Sequence, residues 1–289
     1  MPQLTKKETA KKMGVSRSSL YYESKKEKKD LILKAKIEEV LKRQPRYGHK
    51  RVAMDLSARD KKVNKKRVLR VMKIYDLHPK IRIRRHRKKD DENKPAMHYS
   101  NLIKDHFPTG INQVWVSDFT YIWYEGKFIY LATIIDLFSR EVVGSNIMVR
   151  HDVNLIRGAL KNALNQKKPP QILHSDQGSE YCSKEYLKLA ESFGIKISMS
   201  HKGSPWENGY QESFYGKFKD DLGKVSQFEA EAQLIGAIYN QIYIYNNERI
   251  HTALKMPPKQ FAELNANLNL NFLSTPHHLV TTVSNKMGT

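Results

Sequence analysis

The chain of 289 residues has a single cysteine, Cys182, which excludes an internal disulfide and a cysteine-rich zinc site and fits a reducing, intracellular setting. It has no apolar run approaching the roughly 18 residues that a membrane span needs, so no membrane partner is expected. Its first residues, MPQLTKKETAKK, hold no apolar signal core. The pattern Gly-x4-Gly-Lys-Ser/Thr does not occur, so ATP use is not expected. Acid is scarce at one end only. Residues 1–100 carry 32 Lys and Arg against 12 Asp and Glu, a net +20, whereas residues 101–289 carry 19 against 18, a net +1. A charge placed for solubility would be spread evenly. This split reads as an electrostatic arm on a near-neutral globular part, with nucleic acid as the natural polyanionic partner.

Within the basic third, TKKETAKKMGVSRSSLYY reads as a short helix, a turn at Gly14 and a second short helix from Ser16, with Ala10 and Leu20 as contacts. This makes residues 1–24 a short helix-turn-helix. Residues 28–79 form a second one. ILKAKIEEVLKRQ places Ile32, Ile37 and Leu41 at helical spacing, and RVAMDLSARD follows. In VNKKRVLRVMKIYDL, Asn64 can cap a helix with an apolar face of Val68, Val71, Met72 and Tyr75. The other face carries Lys65, Lys66, Arg67, Arg70 and Lys73, five bases suited to phosphate contact. Residues 80–107 are a linker with the dense basic run KIRIRRHRKK, in which Arg84 and Arg85 could follow a DNA backbone.

From Val114 the texture changes. VWVSDFTYIWY, FIYLATIID and EVVGSNIMV read as three antiparallel strands, the first two joined by a turn at Glu125-Gly126-Lys127. A helix from Val153 to Gln166, the strand QILHSD, a helix from Lys184 to Phe193, the strand IKISMS and a helix after GSPWENGY complete a mixed α/β domain, residues 108–224. Residues 225–289 read as a helical C-terminal region and tail, in which AEAQLIGAIYNQIYIYNNERIHTALKMPP ends at Pro257-Pro258.

Three acids stand out in that domain. Asp118 lies inside an apolar strand, where a carboxylate is costly unless it is paired or holds a metal. Asp176 follows the strand QILH, and Glu212 stands on the later helix with 35 residues between them. Singly, Asp118 could pair with an arginine, Asp176 could cap the helix from Ser183, and Glu212 could be a surface acid. Together they could converge on hard divalent cations, as in two-metal phosphoryl transfer. On the last helix, Asn208, Glu212, Gly216 and Lys219 share a face, and Phe214, Tyr215 and Phe218 point elsewhere. Gly216 would let a phosphate backbone approach, Lys219 would hold it, and Asn208 could orient the carboxylate or contact a base. His174 and His201 flank the acids and could position phosphate or water. Asp136 reads as structural, capping the turn into Ser139-Arg140. Trp206 reads as a core anchor ahead of the last helix.

VWVSDFTYI, LHSDQGSEY and GSPWENGYQESFYGKFK resemble the three catalytic blocks of the DDE transposase and retroviral-integrase superfamily. Over roughly residues 28–260 the chain is similar to OrfB-type transposases of the IS-three family of bacterial insertion sequences. RYGHKRVAMDL and KVNKKRVLRVMKIYDL resemble their helix-turn-helix, and YNNERIHTALKMPP resembles their C-terminal signature. The resemblance implies an all-α helix-turn-helix region followed by an RNase H-like α/β core and a helical C-terminal region. It implies that Asp118, Asp176 and Glu212 hold two Mg2+ ions, with Mn2+ able to substitute, and that Lys219 contacts the DNA end. Lys202 and Arg249 join the expected DNA-binding set, although packing is an equal reading of Arg249 and His251. Glu207 is a neighbouring acid, but spacing and Lys219 favour Glu212. The implied reaction nicks an element end to expose a 3′-OH and transfers it to another phosphodiester, through a circular intermediate that later integrates. Implied partners are double-stranded DNA (terminal inverted repeats and target), a second copy of the chain, and a protein or fusion from an upstream reading frame. The implied location is the bacterial cytoplasm, at the nucleoid.

Overall fold

The computed structural model describes residues 5–18, 25–59, 62–80, 99–104, 108–200 and 209–274. It divides into two compact units, residues 1–82 and 83–289.

The first unit begins with helix α1 (Lys6–Lys12), started by a capping box in which Thr5 and Glu8 bond reciprocally. Gly14 then takes the positive φ of 64° that the expected turn requires. Ala10 is buried. The second short helix and Leu20 fall largely at residues 19–24, outside the described residues. Helices α2 (Lys25–Arg43), α3 (His49–Arg59) and α4 (Lys65–Ile74) pack together over Leu33, Ile37, Val40, Val52, Leu56, Val68 and Val71. The expected apolar face of α2 needs correction, because Ile32 is 62 % exposed. Ile32 and Ile37 are five residues apart, about 140° around a helix of 3.6 residues per turn, so they cannot share a face. The buried stripe runs instead through Asp30, Leu33, Ile37 and Val40. Asn64 caps α4 as expected, accepting from the Lys66 amide at 2.8 Å.

The second unit is built on one five-stranded sheet in the order β3-β2-β1-β4-β5. Strand β1 (Val114–Tyr124), β2 (Lys127–Asp136) and β3 (Val142–Met148) are antiparallel, and β4 (Ile172–Ser175) and β5 (Lys196–Met199) continue in parallel. The β-branched and aromatic residues of β1 and β2 suit a sheet covered on both faces. On one face, helices α5 (Val153–Leu164) and α6 (Lys184–Ser192) pack with Trp115, Ala132, Ile134 and Leu173. On the other, helix α7 (Gly209–Leu222) and helix α8 (Glu231–Asn247) bring Phe214, Phe218, Leu234 and Ile238 onto Ile122, Ile129, Leu131 and Ile135.

Gly144 on β3 marks the closest approach of α5. A Cβ there would lie 2.4 Å from the Ala159 carbonyl oxygen and 2.6 Å from the Ala163 Cβ. The helix expected to run to Pro257-Pro258 stops at Asn247, and a short segment with a bridge between His251 and Met256 intervenes. Pro258 instead opens helix α9 (Pro258–Ser274), at the first helical position, where its missing N–H costs nothing. Among the described residues no helix is long and apolar enough to cross a membrane.

Candidate active site

Strand β4 pairs with β1 only over Val114–Val116, the last pair being Val116 with His174. Asp118 and Asp176 each stand two residues beyond that pair, where the two parallel strands part. Crevices at the carboxyl ends of parallel strands are where open α/β sheets place their ligands. Asp176 does not cap α6, because Ser183 does so itself, accepting from the Tyr186 amide. The Asp176 carboxylate accepts from the Gly178 amide at 2.9 Å. Asp118 accepts from its neighbour Phe119 at 2.8 Å, and no arginine among the described residues forms a salt bridge with it.

Helix α7 closes the third side. Its buried face holds Gln211, Phe214, Tyr215, Phe218 and Leu222, which leaves Glu212 and Lys219 half-buried beside the crevice. Two polar residues pin this helix to the strands. Gln211, fully buried, donates through Nε2 to the Val116 carbonyl at 2.6 Å. The Tyr215 hydroxyl donates to the Asp118 carbonyl at 2.6 Å and lies 2.8 Å from Thr133 Oγ1 on β2. The helix that bears Glu212 is thereby registered against the strand that bears Asp118. Sequence reasoning passed over Gln211. The signal was its place at the head of the stripe 211, 215, 218, 222, where a glutamine among aromatics implies a buried hydrogen-bond role.

Burial first, then the negative charges of Asp176 and Glu212, push the Asp118 carboxyl up to about 8, against the opposing pull of the Phe119 amide and Lys219. Asp176 is also raised, by burial and by Glu180, with the Gly178 amide acting the other way. Among the described residues, no three His, Cys, Asp or Glu side chains stand close enough to form a finished metal site. The donor set is nonetheless of the right kind: three carboxylates, with Asp118 feeling the charge of both others, supply the hard oxygen that a divalent cation favours.

Lys219 Nζ donates to the Tyr121 carbonyl at 2.7 Å and lies 5.0 Å from the centre of the Tyr121 ring. His174 is wholly buried and bonds through Nδ1 to Ser198 Oγ at 2.9 Å, so it supports β4 and β5 instead of lining the crevice. Asp136 is structural as expected, accepting from the amides of Phe138, Ser139 and Asn112. Of the two readings of Arg249, the structure favours packing. Its side chain is 6 % exposed and its Nε lies 3.1 Å from Asp221 Oδ2, which ties α7 to the end of α8.

The basic face of α4 also divides. Arg70 bonds to the buried Asp30 at 2.7 Å, and Arg67 lies 3.5 Å from the same carboxylate and donates to the Lys29 carbonyl. Lys65, Lys66 and Lys73 remain exposed. The expected contacts Arg84, Arg85, Lys202 and Asn208, with Glu207, Trp206 and His201, lie outside the described residues.

The fold and the crevice define a protein with an integrase-type catalytic core. Residues 108–205 and 193–258 match the family described as "Integrase core domain", and residues 27–87 match "HTH-like domain". A solved intasome of simian T-cell lymphotropic virus, with PP2A regulatory subunit B56 gamma, resembles the chain in fold. Its TM-score is 0.50 at 16 % identity, covering 82 % of this chain and 76 % of that one. InsK, for the insertion sequence element IS150 of Escherichia coli (strain K12), is 32 % identical over 83 % of this chain and 87 % of its own length. The transposase for IS904 of Lactococcus lactis subsp. lactis (strain IL1403) is 35 % identical over 81 % of this chain and 95 % of its own. The chain belongs to the IS-three family of insertion-sequence transposases.

Proposed function

We propose that this transposase nicks the ends of its element to expose 3′-OH groups and joins them to other phosphodiesters, with Asp118, Asp176 and Glu212 as one catalytic set. The observation that carries the reading is the parting of β1 and β4 at Asp118 and Asp176, with α7 presenting Glu212 to the same crevice. The three carboxylates would hold two Mg2+ ions, or Mn2+ in their place. When bound, such ions neutralise charge on the scissile phosphate and favour the attacking and leaving oxygens.

In the first step a water oxygen forms a bond to phosphorus while the bond to the 3′ oxygen breaks, leaving a 3′-OH. In the second, that hydroxyl attacks another phosphodiester, one P–O bond replaces another, and the displaced strand leaves with a 3′-OH. Neither step needs ATP: the first is a hydrolysis, in which water supplies the proton that ends on the 3′ oxygen, and the second exchanges one phosphodiester bond for another. This chain's contribution is placement. Lys219 holds a phosphate beside Asp118, and Gln211 and Tyr215 keep α7 in register with β1.

Residues 28–79 serve as the module that grips the terminal repeats, with Lys65, Lys66 and Lys73 toward phosphate, and residues 80–107 link it to the core. A dimer or larger assembly follows from the need to bring two ends together, and an upstream-frame partner or fusion would complete it. Joining one end to the other on the same strand would give a circular intermediate that later integrates.

The test uses end-labelled donor DNA carrying the terminal repeats that flank the gene, with Mg2+ and either wild type or Glu212→Gln. Nicked and joined strands from wild type alone support the reading. Nicking without joining points to a hydrolase, and retarded DNA with no covalent product points to a DNA-binding regulator.

A further inference from the structure

Beyond Val116, and among the described residues, strand β1 is paired only on the β2 side, so residues 117–124 form a sheet edge running outward from the crevice. The two faces of this edge differ. Ile122, Tyr124, Ile129 and Leu131 are buried under α7 and α8. The opposite face carries Tyr121 and Trp123 on β1, directly across from Tyr130 and Phe128 on β2. Tyr121 and Trp123 are each 56 % exposed and Phe128 is 40 % exposed. The three rings hold one another edge-on, with centroids 5.1 Å apart for Tyr121–Phe128 and 4.7 Å for Trp123–Phe128. Large aromatics placed on a solvent face expose apolar area that a monomeric fold gains nothing by exposing. Their edge-on contacts hold the rings against one another while each stays substantially exposed.

The ledge is not isolated from the site. Lys219 reaches from α7 round the β1 edge to the Tyr121 carbonyl and sits over the Tyr121 ring, and its charge also acts on Asp118. One ammonium therefore marks the boundary between the acids and the aromatics. A phosphate at Lys219 would place the nucleotides on its far side over Tyr121 and Trp123. Aromatic faces beside a backbone-holding cation are the chemistry that binds single-stranded DNA, because every base offers a π-face.

We propose that Tyr121, Trp123 and Phe128 form a stacking ledge for unpaired bases of the DNA strand whose phosphate lies at Lys219. The ledge would hold a frayed end open while its scissile phosphate sits at the acids. It rests on the strand-transfer reading for its purpose. Its test does not, because it reads binding in EDTA, where no strand is cut.

The probes are a blunt duplex and a forked duplex of the same sequence, the fork bearing 2-aminopurine at its first unpaired position, each titrated with the full chain. Wild type is expected to prefer the fork by about tenfold, in line with the usual worth of one stacked base, and to quench the 2-aminopurine. The double variant Tyr121→Ala, Trp123→Ala is expected to lose both the preference and the quenching. The double variant Tyr121→Phe, Trp123→Phe keeps π-faces and is expected to retain both, which separates stacking from a folding defect. A wild type indifferent to the fork, or an alanine variant that still prefers it and still quenches, would overturn the proposal. So would alanine variants that change only self-association in sedimentation, because the ledge would then belong to a second copy of the chain.

Discussion

The Tyr215 hydroxyl donates to the main-chain oxygen of Asp118 at 2.6 Å, so the helix carrying one acid is fastened directly to the residue carrying another. Thr133 on β2 completes the junction at 2.8 Å, and Gln211 repeats it one turn earlier on Val116. These are buried polar contacts with both partners satisfied, which rigidify a core and specify one arrangement of it.

Tyr215→Phe therefore leaves the Asp118 carbonyl oxygen short of this donor and the Thr133 hydroxyl short of its neighbour, both in a buried setting. Loss of about 1–3 kcal/mol of stability is expected, the usual penalty for such a deletion, with a fall in strand cleavage and no change in DNA affinity. Thermal melting beside a single-turnover cleavage assay and a gel-shift titration separates the three effects.

Asp118 gives a pH dependence of definite sign. Its carboxyl titrates at about 8 in the fold, against an ordinary value of 3.8, chiefly through burial. Between these values the folded chain holds a proton that the unfolded chain has lost, so stability falls as pH rises from about 4 to about 8 and levels off above. Metal-free wild type should melt at higher temperature at pH 5 than at pH 8. Asp118→Asn should remove much of that difference and stabilise the protein at pH 8 by up to a few kcal/mol, a ceiling set by about 1.4 kcal/mol per pH unit. A steeper loss in the variant than in wild type would contradict the assignment.

The bases of α4 should separate into two classes. Arg70→Ala removes the closest partner of the buried Asp30 and should lower the melting temperature. Lys65→Ala, Lys66→Ala and Lys73→Ala should leave it unchanged. Each lysine that touches phosphate should reduce the slope of log affinity against log salt by about 0.9, read from gel shifts at several salt concentrations.

Much of this was legible in the sequence because strand and helix periods differ. The runs around Asp118, Leu131 and Leu173 gave strands with their order of appearance, and the acids stood out because carboxylates are rare in such runs. What the sequence hid was pairing. Nothing in the one-dimensional pattern told Arg67 and Arg70, which turn to Asp30, from Lys65 and Lys66, which do not. Arg249 read as readily for DNA as for packing, and only the fold supplied Asp221. Ile32 was misplaced by taking a five-residue interval as helical, and the end of α8 by treating Pro258 as a stop when it opens the next helix. The parting of β1 from β4, which brings Asp118 and Asp176 level, depends on a short parallel ladder that no local signal announces.

Gly144→Ala tests the packing of α5 on β3. The added methyl would press on the backbone of α5 at Ala159 and Ala163, neither of which can rotate away. A loss of about 1–3 kcal/mol, the range for overpacking, is expected in thermal or urea melts. An unchanged melt would mean that β3 and α5 sit further apart than described.

The central claim is that Asp118, Asp176 and Glu212 act as one metal-holding set, and calorimetric titration of Mn2+ into the full chain tests it most directly. Wild type should bind, and Asp118→Asn, Asp176→Asn and Glu212→Gln should each weaken binding while keeping the fold by circular dichroism. Three folded variants that bind Mn2+ as wild type does would show that the acids do not form that site.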